Sequence, residues 1–243
     1  MEHPVVSREE WLKARKAHLQ AEKQLIRERD KLMEQRRALP WVKVEKDYVF
    51  EGPQGPVALA DLFQGRSQLM VQHFMLGPGW KEGCTGCSFM ADHVDAARQH
   101  FEQADLSFAA VARAPIAEIE AFKARMGWRF QWVSSNKNSF NYDFNVSFTE
   151  EELKQGAAVY NYRTIDPGIE DLPGCSVFTK NAAGEVFHSY STYARGCEQL
   201  LGAFWFLDMV PKGRNEPNTI MEWVKLHDRY DTAEMVACHP AAE

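Results

Sequence analysis

The chain has 243 residues, of which 45% are hydrophobic, 12% aromatic and 26% charged, and its net charge is −6. That composition makes one folded, elaborated core and excludes a disordered chain, while the acidic balance argues against nucleic acid or an anionic membrane surface as main partner. No window approaches 18 consecutive apolar residues and Met1-Glu2-His3-Pro4 leads directly into charged sequence, so neither a membrane span nor a secretion signal is expected.

Ser7-Arg8-Glu9-Glu10 has capping-box spacing and predicts a long helix ending near Arg37. Leu12, Leu19, Ile26 and Met33 recur every seven residues on it, a narrow apolar seam in a charged helix. Residues 1–40 hold ten Lys/Arg and seven Asp/Glu, so this segment is +3 against −9 for the rest. Such a helix is expected to strap across an acidic body, its own or that of a second copy in a homodimer.

Pro40 ends the helix, and short strands are expected at 41–44 and 48–50, with a strand running into a helical turn over 57–63. Residues 68–75 read as a buried strand, broken by Leu76-Gly77-Pro78-Gly79. Phe89, Met90, Val94, Ala97 and Phe101 then recur at helical spacing up to Glu102. A second buried strand is expected over 106–112, followed by a helix that Pro115 opens and Gly127 closes. The aromatics Trp128, Phe130, Trp132 and Phe140, Tyr142, Phe144 alternate, which predicts two strands facing a core; a stacking surface rimmed by Asn141, Asp143 and Asn145 is the alternative. A short helix over 150–155, an antiparallel hairpin spanning 171–193 and entered through Pro173, and helices over 197–209 and 219–230 complete the order. A proline at the start of a strand is a candidate cis residue. Residues beyond 232 read as a loose tail.

The chemistry centres on Cys84-Thr85-Gly86-Cys87, placed where strand passes to helix. Chance supplies one such spacing among five cysteines about 8% of the time, so spacing alone does not make a site. Position does more: the unpaired N–H groups and dipole of a helix start stabilise a thiolate, and i, i+3 spacing lets the two sulfurs meet. Cys84 is therefore expected to attack and Cys87 to resolve. An odd cysteine count without a secretion signal suggests a reducing cytoplasm, with a substrate protein or small thiol as partner and no cofactor. A metal site joining the CxxC to His73, His93 or His188 lacks a second paired cluster. His227-Asp228 is a further candidate proton-transfer pair, weaker than an ordinary helix surface.

Strand, CxxC helix, strand, helix and proline-led hairpin together resemble the thioredoxin fold. Pro173 occupies the place of that family's cis-proline opposite the CxxC, and residues 115–144 resemble a peroxiredoxin insertion. Gly83-Cys84-Thr85-Gly86-Cys87-Ser88, Phe140-Asn141-Tyr142-Asp143-Phe144 and Tyr190-Ser191-Thr192-Tyr193-Ala194-Arg195-Gly196 resemble a bacterial thioredoxin-like family of unknown function (domain of unknown function 899), over about residues 8–230. The resemblance implies an α/β thioredoxin-like domain at 40–231, a helical extension at 1–39 and a tail at 232–243. It implies a thiol–disulfide oxidoreductase with Pro173, Trp80, Thr85 and Gly86 shaping the groove. Cys175, Arg195, Tyr142 and Asp143 are further candidates. Gly83 stands where thioredoxins carry tryptophan, and Lys81 and Gly77 where peroxiredoxins carry threonine and proline. A thiol peroxidase is therefore the second expectation, with Arg195 as its positive charge. A non-enzymatic ligand- or metal-binding module is the third.

Overall fold

The computed structural model describes residues 3–230, so the expected tail, with Cys238 and His239, lies outside the described residues. The described chain divides into two compact units at Trp41/Val42. The first is α1 (Arg8–Arg37), closed at its start by the expected capping box: Glu10 N–H donates to Ser7 Oγ at 3.2 Å and Ser7 N–H to Glu10 Oε2 at 3.0 Å. None of its residues is fully buried, and the pair Arg15–Glu22, two turns apart, closes at 2.8 Å along its surface.

The second unit starts with β1 (Val42–Lys43), β2 (Val49–Gly52), β3 (Gly55–Ala58) and a 3₁₀ turn over Leu59–Phe63. Next come β4 (Gln68–His73), α2 (Thr85–Asp92), α3 (Val94–Gln103), β5 (Leu106–Ala112), α4 (Ile116–Arg125) and β6 (Gln131–Ser134). The remainder is α5 (Phe140–Asp143), α6 (Glu150–Gln155), the small ribbon β7 (Ala158–Tyr160) and β8 (Arg163–Ile165), the hairpin β9 (Gly174–Lys180) and β10 (Val186–Tyr193), and α7 (Gly202–Leu207).

Eight strands form one sheet in the order β1-β10-β9-β4-β5-β6-β2-β3. β4, β5 and β6 run parallel, and β9 lies antiparallel on the other side of β4 with β10 outside it. A central strand feeding the CxxC helix, flanked by a parallel strand and an antiparallel hairpin, is the thioredoxin-like α/β arrangement. Period-2 alternation explains how the central strands stay fixed: Leu69, Val71, Ala109 and Val111 face one layer, while Phe108, Ala110 and Ala112 face the other. α2, α3 and α4 cover the second face with Cys87, Val94, Ile119 and Phe122; Phe50, Leu62, Phe63 and Phe140 cover the first.

Several expectations need correction. The helix over 84–102 is two helices, because His93 Nδ1 bonds the Phe89 carbonyl at 2.7 Å and its Nε2 accepts Ala203 N–H at 3.0 Å. The same contact, with Gly202 close against the His93 ring, interrupts the helix expected over 197–209. There a 3₁₀ turn over Ala194–Leu200 precedes α7. Phe140, Tyr142 and Phe144 are not a strand: Asn138 Oδ1 caps Phe140 N–H at 2.9 Å, and the i, i+4 rings of Phe140 and Phe144 meet at 4.6 Å on one side of a helical turn. Residues 219–230 form turns ending in a 3₁₀ turn over His227–Arg229, with Met221 in the left-handed region (φ 62°). Tertiary ties win over propensity there: Trp223 Nε1–H bonds Arg214 O at 2.7 Å, and Leu226 enters the core beside α4.

Candidate functional site

Cys84 is the N-cap of α2, placed by its own N–H bond to Met75 O at 3.0 Å and by Ser88, whose N–H and Oγ both reach Cys84 O. The preceding glycine matters sterically. A Cβ at Gly83 would lie 2.5 Å from Phe74 and 2.8 Å from Phe122, so the backbone presses on aromatic core where thioredoxins carry a tryptophan. Cys84 is half-buried and Cys87 is buried. The Cys87 S–H donates to the Cys84 sulfur, and the Cys87 and Gly86 N–H groups add to it; against burial, they bring the Cys84 pKa from 9.0 to about 6. Cys87, bonded to that sulfur and buried, is pushed well up. The electrostatics thus make Cys84 the thiolate and Cys87 the proton holder.

Above the pair lies a largely apolar cavity of about 250 Å³, to which Cys84, Gly86, Cys87, Pro173, Arg195 and Cys197 all contribute. Of the residues expected to form the groove, Gly86 and Pro173 are there. The Leu172–Pro173 peptide is trans, since the described residues contain no cis bond. Trp80 lies elsewhere: its indole covers Gly77, and it lines a separate depression with Glu118 and Arg125. Thr85 opens α2 outside the cavity lining. Arg195 is at the cavity, but its guanidinium is paired to Glu198 at 2.6 Å and is 72% exposed. Asp143 accepts from Lys46 at 2.8 Å and Tyr48 at 2.8 Å in a second cavity, and Tyr142 stacks by Arg113; neither reaches the thiols.

Two residues that no sequence signal singles out hold Pro173. Tyr160 OH donates to Pro173 O at 2.6 Å and accepts Ala194 N–H at 3.1 Å, joining two walls of the cavity. Arg113 grips the buried Asp171 with two bonds of 2.7 and 3.1 Å, and Ser147 adds a third, so the segment before Pro173 is anchored to the end of β5. Met221 closes the far side, its sulfur 3.5 Å from where a Cβ of Gly86 would stand.

At the cavity floor Gln72 Nε2 donates to Cys87 O at 2.9 Å, leaving its Oε1 without a protein partner. Next to it His73 begins a buried chain in which His73 Nε2, Ser176 Oγ, Ser191 Oγ and His188 Nε2 are each 2.7 Å from the next. Burial, with His188 nearby, lowers the His73 pKa to about 3, so the ring is neutral. His73, His93 and His188 are each engaged in hydrogen bonds of this kind. Among the described residues no three His, Cys, Asp or Glu side chains are arranged to hold a metal ion. His227 faces Asp92 at 2.6 Å and Asp228 pairs with Arg125 at 2.8 Å, so those neighbours in sequence are not a pair in space.

No curated protein matches this sequence. Among solved structures, the chain is similar to the peroxidoxin BcpB of Mycobacterium tuberculosis, with 12% identity over 68% of this chain and 93% of that one and a TM-score of 0.44. It is similar also to the bacterioferritin comigratory protein of Xanthomonas campestris, at 14% identity, 64% and 88% coverage and a TM-score of 0.44. A candidate thiol:disulfide interchange protein DsbE of Chlorobium tepidum gives 15% identity, 68% and 97% coverage and a TM-score of 0.41. A family model described as bacterial protein of unknown function (DUF899) matches residues 1–230, and the chain belongs to that family.

Proposed function

We propose that this protein is a thiol–disulfide oxidoreductase in which Cys84 is the nucleophile and Cys87 the resolving thiol. The observation that carries the reading is the asymmetry of the pair: one half-buried sulfur at a helix start with a pKa near 6, one buried sulfur holding the proton, both opening on one cavity. The Cys84 thiolate attacks one sulfur of a substrate disulfide and releases the other as a thiolate. Once Cys84 is in the mixed disulfide, Cys87 loses the hydrogen bond and negative neighbour that raised its pKa. It gives up its proton, attacks Cys84 and frees the second substrate thiolate. A dithiol reductant returns the Cys84–Cys87 disulfide to thiols.

A cavity of this size admits a small thiol or a disulfide-bearing peptide loop. The peroxidase alternative is the weaker reading, because Arg195 is paired with Glu198 and the positions of the helper threonine and proline hold Lys81 and Gly77. The test is dithiothreitol-driven turnover of a model disulfide. Cys84→Ser abolishes it, and Cys87→Ser accumulates a mixed disulfide at Cys84. Undiminished turnover in Cys84→Ser contradicts the assignment.

A further inference from the structure

Two more thiols stand beside the CxxC, from parts of the chain 22 residues apart. Strand register pairs Cys175 of β9 with Thr192 of β10. Beyond Thr192 the 3₁₀ turn folds back on the strand, so that Cys197 Sγ lies 3.6 Å from Thr192 O and 3.8 Å from Cys175 Sγ. Gly196 makes the fold-back possible: a Cβ there would lie 2.0 Å from Thr192 Oγ1. A disulfide needs its sulfurs at about 2.05 Å, so closing this pair takes a displacement of under about 2 Å. Cys175 is buried against Met90, whereas Cys197 is half-buried and shares the cavity wall with Cys84 and Cys87.

We propose that Cys175 and Cys197 are a second redox-active dithiol that exchanges with the Cys84–Cys87 disulfide across this cavity, an inference that rests on the CxxC being a working couple. Cys197 loses its proton to solvent and attacks Cys87 Sγ. The Cys84–Cys87 bond breaks with Cys84 as leaving group, the sulfur best able to carry the negative charge. Cys175 then attacks Cys197 Sγ, the Cys87–Cys197 bond breaks, and the Cys87 thiolate takes up the proton that Cys175 gives. Two electrons pass from one pair to the other with no further oxidant. The protein then holds four reducing electrons when all four thiols are reduced, and the active-site pair is reset while the oxidising equivalent moves to the second pair. The alternative is that Cys175 and Cys197 are only small side chains filling the core.

Disulfide mapping distinguishes these. Full-length protein is equilibrated in graded glutathione buffers, quenched with acid, alkylated and digested, and cross-linked peptides are identified by mass spectrometry. Four thiols are expected to disappear in two steps, giving Cys84–Cys87 and Cys175–Cys197 peptides. The Cys84→Ser/Cys87→Ser variant should still form Cys175–Cys197, and Cys175→Ser should accumulate a Cys87–Cys197 cross-link. If Cys175 and Cys197 stay alkylatable while Cys84–Cys87 is fully oxidised, the second couple is refuted and the CxxC assignment stands. If Cys175–Cys197 forms but Cys84–Cys87 never does, the proposed function fails and the exchange with it. A Cys175→Ser protein that never shows the Cys87–Cys197 link overturns the exchange step alone.

Discussion

Cys84 reactivity is set by atoms within one helical turn. Its alkylation rate should follow the thiolate fraction, rising through a midpoint near pH 6 and levelling off above about pH 7. Because the Cys87 hydrogen bond is the largest cause of the lowered pKa, Cys87→Ala should move that midpoint upward by more than one pH unit. Iodoacetamide labelling against pH measures both; equal midpoints in the two proteins would remove Cys87 from the explanation. Gly83→Ala tests the steric side. Its methyl would meet two aromatic rings well inside van der Waals distance, so a loss of about 1–3 kcal/mol is expected in denaturant unfolding. These features differ in how far the sequence discloses them. The spacing and placement of the CxxC reveal Cys84 and Cys87. Nothing local marks Cys197 or Tyr160, because each acquires its partner only through the register of β9 with β10.

Among elements, those set by local rules were readable. Capping boxes at Ser7 and Thr149, an apolar run over β5 and the Asn181–Gly184 turn each carry their cause within a few residues. The misread segments are those whose shape is decided by distant contacts. His93 breaks two helices at once by serving the Phe89 carbonyl and the Ala203 amide. Phe140 and Phe144 fit both a two-residue period and an i, i+4 pair, and the Asn138 cap selects the helix. The sequence places Pro173 at the entry to β9, but its trans peptide and its Tyr160 brace depend on distant contacts. Tyr160→Phe leaves Pro173 O and Ala194 N–H without that partner. The variant should be less stable by about 1–2 kcal/mol and slower in model-disulfide turnover. An unchanged turnover rate would show that the brace does not shape the cavity.

Across the whole molecule, the buried chain from His73 to His188 ties stability to pH. His73 has a folded pKa of about 3 against 6.5 when free, so the unfolded chain binds its proton first as pH falls. Its contribution is complete above pH 6.5 and is lost progressively towards pH 3. Between pH 6.5 and pH 4 the protein should lose about 3 kcal/mol more than a His73→Gln variant, as read by urea unfolding at each pH. Parallel acid limbs in the two proteins would assign the loss to carboxylates. Strand order and hairpin pairing carry the thioredoxin-like architecture independently of these titrations, and among the described residues no helix is long and apolar enough to cross a membrane. We propose that the seam of Leu12, Leu19, Ile26 and Met33 along α1 docks onto an acidic surface, of its own chain or of a second copy.

The central claim is that Cys84 and Cys87 form a reversible two-electron couple. The direct measurement is their midpoint potential in glutathione or dithiothreitol redox buffers, with mass spectrometry reading the thiols of those two residues. The account predicts a single reversible transition between roughly −120 and −270 mV, the span of working thiol oxidoreductases. A pair that stays reduced at the oxidising end of the titration, with no Cys84–Cys87 disulfide formed, would contradict it.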